Sequence, residues 1–376
     1  MAERYLVEPD VNFVKEVVAL GGDDVKKCFQ CATCSVVCPI SPDTKPFPRK
    51  EMIAAQWGLK DKLVSNLDIW LCHQCGDCST KCPRGAKPGD VLGAIRSYAI
   101  SEYAVPKWLA KAVNEPEKLP ILLLIPVVIF LVLGYITGLM NFSPGGEEIV
   151  HSNFFSTWLV DMIFVPLVVW VVAIFAMGLN RFIKDIHESA VREGKTNKDR
   201  VEAGAFIQAL IRILPTVLKH SKFSECEENK DRATAHLMVF YSFIGLFIVT
   251  NIFFVVLYVF QIHGPYSQLN PVKWLANVSG VALIIGSILM IKNRMARTDQ
   301  STSYKDLYLL GLVLGLGLTG MLTEMTRLAG AAGLSYILYF VHLVFVFNLF
   351  AFLPFSKLAH LVYRTVAMAY AEYANR

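Results

Sequence analysis

Two copies of one short cysteine pattern lie in the first hundred residues of the sequence. Each copy has the form C-x2-C-x2-C-x3-C-P, and together the copies contain eight of the nine cysteines. This spacing is typical of [4Fe–4S] sites, in which three closely spaced thiolates bind one cluster and the fourth binds the other cluster. The pattern predicts a first cluster on Cys28, Cys31, Cys34 and Cys82 and a second on Cys72, Cys75, Cys78 and Cys38.

Two structural zinc sites are the alternative interpretation of these cysteines. A four-cysteine zinc site usually has two C-x2-C pairs that a longer loop separates, and no such loop divides either copy. Disulfides are disfavoured, because such dense thiols suit a reducing compartment and a metal. The ninth cysteine, Cys226, is predicted to be structural and without a partner.

The composition indicates a membrane protein. The chain has 376 residues, of which 54% are hydrophobic, and its mean hydropathy of +0.46 is too high for a soluble protein of this length. The sequence has no basic run with interleaved aromatic residues, which would favour a nucleic-acid partner. The first 20 residues lack the apolar stretch of a secretory signal, so the cysteine-rich part is expected to stay in the cytoplasm.

Six apolar runs follow residue 119, and each is close to the ~20 residues that cross a ~30 Å hydrocarbon core. They cover residues 120–140, 155–179, 237–262, 274–291, 304–326 and 334–356. The predicted fold is mostly α, with a small helical ferredoxin-like two-cluster domain followed by a six-helix transmembrane bundle. The predicted boundaries are 1–105 for the cluster domain, 106–119 for a linker, 120–376 for the bundle and 200–225 for an amphipathic cytoplasmic segment within it.

The charges between the apolar runs predict an orientation. The stretch 292–305 holds four Lys or Arg, whereas the opposite loops 141–153 and 263–272 hold none. The stretch 180–235 holds eleven, among them Arg181, Lys184, Arg192, Lys195, Lys198 and Arg200. By the positive-inside rule, both termini and the clusters lie on the cytoplasmic side of the inner membrane.

Three histidines at the apolar runs suit haem iron, because neutral imidazole is a common axial ligand. His236 opens the third run and His360 follows the last one, so both are expected at the cytoplasmic edge, where they can bind one haem b. His342 lies 18 residues before His360, which on one helix means five turns and about 27 Å. The six-helix bundle is thus predicted to be a cytochrome b. The alternative is that these are interfacial residues without a ligand.

The N-terminal hundred residues resemble the small iron–sulfur subunit of heterodisulfide reductases. Besides the cysteines, the resemblance rests on Pro48-Arg49, Trp57-Gly58-Leu59, Ile69-Trp70-Leu71-Cys72 and Cys82-Pro83-Arg84-Gly85. The catalytic subunits of that family carry adjacent-cysteine motifs, and this sequence has no two adjacent cysteines. The resemblance therefore implies clusters that conduct electrons and do not themselves reduce a disulfide.

The C-terminal part resembles the nitrate reductase gamma-type cytochromes and the cytochrome b of membrane heterodisulfide reductase. The matching residues are His342 and the stretch from Phe352 to His360, then Phe223, Cys226, Arg232 and His236, and finally Thr319, Gly320, Glu324 and Arg327. The fusion of both parts resembles the C-type membrane subunit of the quinone-interacting membrane-bound oxidoreductase complex. That resemblance implies haem b, menaquinone, cytoplasmic flavin and iron–sulfur partner subunits, and electron flow between menaquinol and adenosine phosphosulfate reductase in sulfate reduction.

One departure from the gamma family concerns the outer haem. That family has a second histidine ten residues after the first, and here the position is Leu246. His342 therefore lacks its expected partner, with His263 and His151 as weak substitutes. One haem and two haems both remain open.

A quinone site is expected in the outer half of the bundle, because oxidation of a quinol also releases protons. The candidates are Asp161, Glu324 and Arg327, with Asp161 expected to pair with Arg327. A plain helix-end ion pair between Glu324 and Arg327 is the alternative.

The sequence as a whole predicts a quinone-linked electron-transfer subunit that needs partners, since no G-x-G-x-x-G follows a predicted strand. A membrane anchor of a heterodisulfide reductase-like complex is the alternative within the same class. A proton or ion transporter with a regulatory iron–sulfur domain is the alternative from another class, which the charged residues inside the apolar runs would suit.

Overall fold

The computed structural model describes residues 8–146, 148–194, 196–221, 226 and 230–375. In this part of the chain the secondary structure is helical, without a strand, and an isolated bridge pairs Met140 with Phe155. The predicted mostly α fold is confirmed. Lys195, Phe223 and the end of the segment 200–225, for which the sequence made predictions, lie outside the described residues.

The N-terminal part consists of short helices separated by the cysteine loops. The Asp10 side chain begins the first of them, because it accepts a hydrogen bond from the Phe13 N–H at 2.9 Å. The helices are α1 (Val11–Val17), α2 (Thr33–Val36), α3 (Arg49–Gln56), α4 (Lys60–Val64), α5 (Asp68–Leu71), α6 (Asp77–Thr80), α7 (Pro88–Tyr103) and α8 (Lys107–Asn114).

Six of the following helices are long and apolar enough to cross a membrane, as the apolar runs predict. They are α9 (Leu119–Thr137), α10 (Thr157–Arg192), α12 (Lys230–Tyr258), α13 (Pro271–Ala296), α14 (Tyr304–Leu328) and α15 (Ala332–Phe352). Helices α12 to α15 pack in chain order, and α15 also packs against α9 and α10. Two further helices, α11 (Ala203–Lys219) and α16 (His360–Tyr373), pack against each other.

Helix α10 is longer than the apolar run that predicts it. It continues for 36 residues to Arg192, which is about 54 Å at 1.5 Å per residue and exceeds a ~30 Å hydrocarbon core. Its charged second half looks like a loop by composition, yet Phe182 and Ile186 are buried there. These side chains recur at helical spacing and pack against the N-terminal part and α16. The helix therefore joins the bundle to the cysteine-rich part.

Two segments expected to be a linker and a surface segment are largely helical. In the predicted linker, α8 buries Leu109 and Val113. In the segment 200–225, α11 buries Ala209 and Ile213, whereas Ile207 and Ile211 on its other side are exposed. An exposed apolar stripe of this kind suits a helix that lies at a membrane surface.

The cysteine-rich part and the bundle share one aromatic core. The Trp70 ring from α5 stacks on Tyr363 of α16 with a centroid distance of 5.4 Å, and meets Phe182 of α10 edge-on at 5.3 Å. Tyr103, at the end of α7, packs against the same two rings. Because all four rings are buried, the two parts hold each other in a fixed arrangement.

Trp70→Ala is expected to destabilise this arrangement by about 3–5 kcal/mol, the usual range for removing a buried large aromatic side chain. Thermal unfolding in detergent, followed by near-UV circular dichroism, measures the effect. Trp108, which is 69% exposed, provides the matched control, and Trp108→Ala should leave the midpoint almost unchanged. Equal midpoints for both variants would contradict a structural role for Trp70.

The last spanning helix ends earlier than predicted, which corrects the geometry expected for two histidines. Helix α15 ends at Phe352, short turns follow at Leu353–Phe355 and Lys357–Ala359, and Ser356 between them is extended. Pro354 has no N–H to continue the helical hydrogen bonds. His360 is the first residue of α16, so His342 and His360 do not share one helix. The expected spacing of five turns does not apply.

Candidate functional site

The structure brings the eight cysteines of the two copies together in two groups. In each group, the fourth cysteine of one copy lies with the first three of the other. Cys34 lies close enough to Cys28, Cys31 and Cys82 for their charges to influence it, and Cys38 and Cys78 are influenced in the same way by Cys72 and Cys75. Cys34 also has a smaller influence on Cys78, so the two groups are adjacent. This proximity fits the crossed ligand sets that the spacing predicts.

The two copies also share their backbone conformation. Gln30 and Gln74 both have positive φ angles, of 60° and 53°, and each donates its backbone N–H to the Sγ two residues before it at 3.3 Å. The next left-handed residues, Ala32 and Gly76, immediately precede α2 and α6. The two copies thus fold into the same loop, and in each the backbone N–H of a glutamine is directed at a cysteine sulfur. Such N–H···S bonds also tune the potential of an iron–sulfur cluster.

The electrostatics of the thiols fit a positively charged centre. Burial, together with the neighbouring thiols, raises the pKa of Cys34 to about 11, and burial raises the pKa of Cys38 to about 12. Several thiolates at one point repel one another unless a cation lies between them. Four sulfur donors suit iron–sulfur clusters or zinc, and the 3, 3, 4 spacing favours the clusters.

The two cysteine groups differ in their surroundings. Cys31 is exposed, whereas Cys72 and Cys78 are buried. From the bundle, Arg232 donates to the Gln74 carbonyl at 3.0 Å and Gln300 to the Cys75 carbonyl at 3.4 Å. The second group therefore faces the bundle, and at least one ligand of the first group faces solvent.

Cys226 lies beside the second cysteine group, which corrects the expectation that it has no partner. Its Sγ, the Cys75 Sγ and a carboxylate oxygen of Asp77 all lie within 4.8 Å of one another, and Cys226 is buried. Sequence spacing gives no signal for this contact, because about 150 residues separate Cys75 from Cys226.

A cavity of about 1420 Å³ runs along the bundle. It is larger than the roughly 300–1,000 Å³ of ordinary ligand pockets. Its lining includes Asp306 at the start of α14 and Glu324 near its end, which are about 27 Å apart along the helix. His73 and Gln74, between Cys72 and Cys75, line one end. The cavity therefore extends from the second cysteine loop through most of the bundle.

His236 and His360 both line this cavity and are close enough for the charge of His236 to influence His360. The Nδ1 of His360 lies 2.5 Å from the Lys357 carbonyl oxygen, and as the N–H tautomer it donates to that oxygen. Nε2 is then the nitrogen available to a metal, as in most metal-binding histidines. Burial lowers the pKa of His360 to about 3, so the ring is neutral, as ligation requires.

His220 is a neighbour that the sequence analysis missed. It ends α11 with a φ angle of 49°, and its ring centroid lies 4.9 Å from that of His236. His220 also lines the cavity. The sequence offers only a weak signal for His220, because an isolated histidine at the end of a surface helix is usually a capping residue.

His342 lies farther along the cavity, against α14. Its Nδ1 is 3.0 Å from the Thr319 hydroxyl, and a Cβ on Gly320 would approach its ring to 3.1 Å. Leu246 and His151 line the same cavity, and His263 does not. His151 contacts the Ser335 hydroxyl at 3.0 Å, and burial lowers its pKa to about 4. His151 and His263 were the two substitutes for the missing partner of His342, and of these His151 lines the same cavity as His342.

Positive charge accumulates at the end of the cavity beside the second cysteine group. Asp306 pairs there with Arg294 at 2.7 Å and also with Lys357. Within the described residues, Arg294 Nε and Lys305 Nζ are buried without a hydrogen-bond partner. The cations that line this end are Arg96, Arg232, Arg294, Arg297, Lys357 and Arg364, of which Arg297 pairs with Asp299 at 3.2 Å. The other five cations against the carboxylate of Asp306 leave room for a dianionic ligand, and the two propionates of haem b have that charge.

The opposite end of the cavity has a second set of charges. Glu324 pairs with Arg327 at 2.8 Å and with Lys273 at 2.9 Å. The expected pair of Asp161 with Arg327 is wrong, because Asp161 accepts a hydrogen bond from the Tyr258 hydroxyl. Lys273, Asp161 and Glu324 all line the cavity. The alternative of a plain pair between Glu324 and Arg327 is also incomplete, since Lys273 makes it a triad.

Comparison with known proteins identifies the N-terminal part. Residues 24–86 match the family model of the 4Fe–4S dicluster domain. The C-type subunit of H(2):CoB-CoM heterodisulfide,ferredoxin reductase from Methanothermobacter marburgensis is 38% identical over 90 residues, which cover 24% of this chain and 49% of that protein. No solved structure matches the chain.

Two further relatives have the same character. The second C-type iron–sulfur subunit of the CoB--CoM heterodisulfide reductase of Methanocaldococcus jannaschii is 37% identical over 107 residues, covering 26% of this chain and 57% of that protein. A protein of Archaeoglobus profundus that is named as similar to the C-type heterodisulfide reductase subunit is 31% identical over 106 residues, covering 28% and 56%. The chain thus spans about half the length of the relatives it matches. Its N-terminal part matches the 4Fe–4S dicluster domain and is similar to the C-type subunits of heterodisulfide reductases, and it is joined to six helices that are long and apolar enough to cross a membrane.

Proposed function

We propose that this protein is the membrane subunit of a respiratory complex and conducts electrons between menaquinol and cytoplasmic partner subunits. The path runs from a quinol site at the outer end of the cavity through haem b to the two [4Fe–4S] clusters. The cluster domain comprises residues 1–105 and the bundle 120–376, with both termini on the cytoplasmic side of the inner membrane. The partners are flavin and iron–sulfur subunits, and the route leads toward adenosine phosphosulfate reductase.

One observation carries the proposal. The cavity that His236 and His360 line is also lined by His73 and Gln74, which lie between two ligands of the second predicted cluster. A haem held there would be close to the second cluster. That cluster in turn shares its ligand loops with the first, because each set borrows one cysteine from the other copy. The order haem, second cluster, first cluster follows from this placement.

In this mechanism His236 and His360 would hold the haem iron, and the cations around Asp306 would pair with its propionates. When bound, haem b supplies an iron that changes by one electron. Oxidation of one quinol also releases two protons, and the outer end of the cavity offers acceptors for them. The imidazole of His151 lies there beside the Ser335 hydroxyl, and the carboxylate of Asp161 lies beside the Tyr258 hydroxyl. The triad of Lys273, Glu324 and Arg327 orients the quinol head group.

A second candidate function comes from the relatives. Their names describe subunits of heterodisulfide reductases, so this chain can also serve as the membrane anchor of such a complex. Purification of the complex from its native membrane separates the two functions. Co-purification of a subunit with adjacent-cysteine motifs favours the heterodisulfide reductase type. Co-purification of a flavin subunit without such a subunit favours the menaquinol-linked complex.

The direct test of the cofactors uses the full chain purified in detergent. A dithionite-reduced minus oxidised spectrum is expected to contain a haem b α-band, and the reduced sample should give the EPR signals of two [4Fe–4S] clusters. EPR signals without an α-band would overturn the haem part of the proposal and favour a transporter with a regulatory iron–sulfur domain.

Leu246→His is expected to raise the haem content from one to two per chain, because it places an imidazole in the cavity wall that His342 also lines. Pyridine haemochrome assay against protein concentration measures the ratio. Ile248→His is the matched control, since Ile248 lies two residues away, is exposed and does not line the cavity. A wild-type chain that already contains two haems would contradict this result and assign His151 as the partner of His342.

A further inference from the structure

We propose that the surface around the first predicted cluster binds an acidic electron-transfer protein, which exchanges single electrons with that cluster. We define this surface, the outer patch, by Phe29, Cys31, Val36, Arg49 and Arg84. The inference rests on the proposed function, because it requires the first cluster to be the end of the electron path.

The internal repeat shows that the outer patch lacks a cover that its counterpart has. Phe29 is 69% exposed, whereas His73, at the equivalent position of the second copy, is only 8% exposed. Cys31 is likewise exposed, whereas Cys75 is half-buried. In the second copy the bundle provides the cover through Arg232 and Gln300, as described above. The same loop in the first copy has no such cover within the described residues.

The outer patch is continuous. The Arg84 guanidinium lies over the Phe29 ring at 4.1 Å from its centroid. Arg49 Nε donates to the Gln30 carbonyl at 2.9 Å, and the Arg49 backbone N–H donates to the Ser35 hydroxyl at 3.0 Å. Arg49 therefore contacts both the loop that holds Cys31 and helix α2. Val36, the last residue of α2, is 82% exposed. The outer patch thus combines the exposed apolar side chains of Phe29 and Val36 with the guanidinium groups of Arg49 and Arg84. It also contains Cys31, an exposed predicted ligand of the first cluster.

The charge of the surroundings defines the partner. The segments 25–50 and 79–87 contain eight Lys or Arg and one acidic residue, Asp43. Lys27, Lys50 and Lys87 pair with carboxylates outside these segments. Exposed cations that form no ion pair within the described residues are Lys26, Arg49, Lys81 and Arg84. A surface with this excess attracts an acidic protein and accelerates its approach.

The lipid surface is the less suitable occupant. Hydrogen bonds between the bundle and the cysteine-rich part involve Gln74, Cys75, Asp90 and Tyr103. Within the described residues none involves the outer patch. The side that faces the bundle is thus the second cysteine copy, and the outer patch belongs to the first.

The exchange step is a simple one. A reduced first cluster loses one electron, and the flavin or iron–sulfur centre of the docked protein gains it, without a bond change or a proton. The reverse direction uses the same contact. Because Cys31 is exposed, the partner can approach one cluster ligand directly.

The test measures electron entry from two donors of opposite charge. The full chain in detergent, with oxidised clusters, is mixed in a stopped-flow instrument with reduced flavodoxin, an acidic one-electron carrier, or with reduced methyl viologen, a cation. Bleaching of the cluster absorbance gives the rate. For the double variant Lys81→Glu and Arg84→Glu we expect the flavodoxin rate to fall at least about tenfold at low ionic strength, while the viologen rate does not fall.

The control has the same change in net charge elsewhere on the cysteine-rich part. Lys15→Glu with Lys62→Glu alters two exposed lysines on α1 and α4, and its flavodoxin rate should stay within about twofold of wild type. The docking surface would be overturned if the flavodoxin rate fell equally in both double variants. It would also be overturned if the rate did not fall in the Lys81→Glu and Arg84→Glu variant. A response to anionic phosphatidylglycerol nanodiscs without a response to flavodoxin would assign the patch to lipid instead. The haem spectrum is independent of this assay, so a missing α-band contradicts the proposed function without affecting the docking result.

Discussion

His360→Ala is expected to abolish the haem b α-band of the protein. The reason is that His360 is half-buried where it lines the cavity, neutral, and oriented by the hydrogen bond from its Nδ1 to the Lys357 carbonyl. Alanine leaves no donor for iron at that position, and the remaining cavity is large enough that the porphyrin is no longer fixed. The reduced-minus-oxidised spectrum of the purified variant measures the loss.

The control for this loss is a buried histidine that does not line the cavity. His187 is 5% exposed and contacts the Tyr370 hydroxyl at 2.9 Å, and it does not line the cavity. His187→Ala should retain the band even if the protein is somewhat less stable. A full band in His360→Ala, or an equal loss in both variants, would exclude His360 as a ligand.

The partner of His360 is tested in the same way. His236→Ala should also lose the band, whereas His220→Ala should retain it with at most a shift. If the two results are exchanged, the second ligand is His220, whose ring lies 4.9 Å from that of His236. The outcome therefore decides between His236, which the sequence predicted as a ligand, and its neighbour His220, which it did not.

Cys78→Ser is expected to remove the second cluster and to leave the first. Serine replaces a thiolate by a hydroxyl, which is a poor ligand for iron, and Cys78 lies with Cys72, Cys75 and Cys38. The EPR spectrum should lose one of two signals, and electrons from the bundle should no longer reach the first cluster. Cys31→Ser should give the converse result, with the first cluster lost.

Cys226→Ser is the matched control for the cluster variants. Cys226 is a buried cysteine beside Cys75, but it belongs to neither predicted ligand set. Both EPR signals should survive its replacement. Loss of a cluster in Cys226→Ser, with survival in Cys78→Ser, would mean that the ligand sets are assigned wrongly.

The sequence allowed the spanning helices and the cysteine groups to be predicted, because both depend on local patterns. About twenty apolar residues are enough to indicate a span, and fixed cysteine spacing is enough to indicate a cluster. Helix α10 shows the limit of this approach. Its second half leaves the apolar run, so charged residues such as Arg181 and Lys184 suggested a loop, although Phe182 and Ile186 continued the helical pattern.

The placement of the site depends on contacts that local patterns do not contain. Cys226 reaches Cys75, Gln300 reaches the Cys75 carbonyl and Trp70 stacks on Tyr363, each across about 150 residues or more of sequence. The break between α15 and α16 had a local signal in Pro354, but the apolar residues around it suggested one continuous span. For this reason the expectation that His342 and His360 share one helix was wrong.

Quinol-driven reduction of the clusters tests the central claim most directly. Purified oxidised protein is mixed anaerobically with a menaquinol analogue, while the haem α-band and the cluster absorbance are followed together. The proposed path predicts that the α-band rises first, that cluster bleaching follows, and that His360→Ala slows the bleaching strongly. Clusters that bleach at the same rate in wild type and His360→Ala, or before the α-band rises, would contradict a path through the haem.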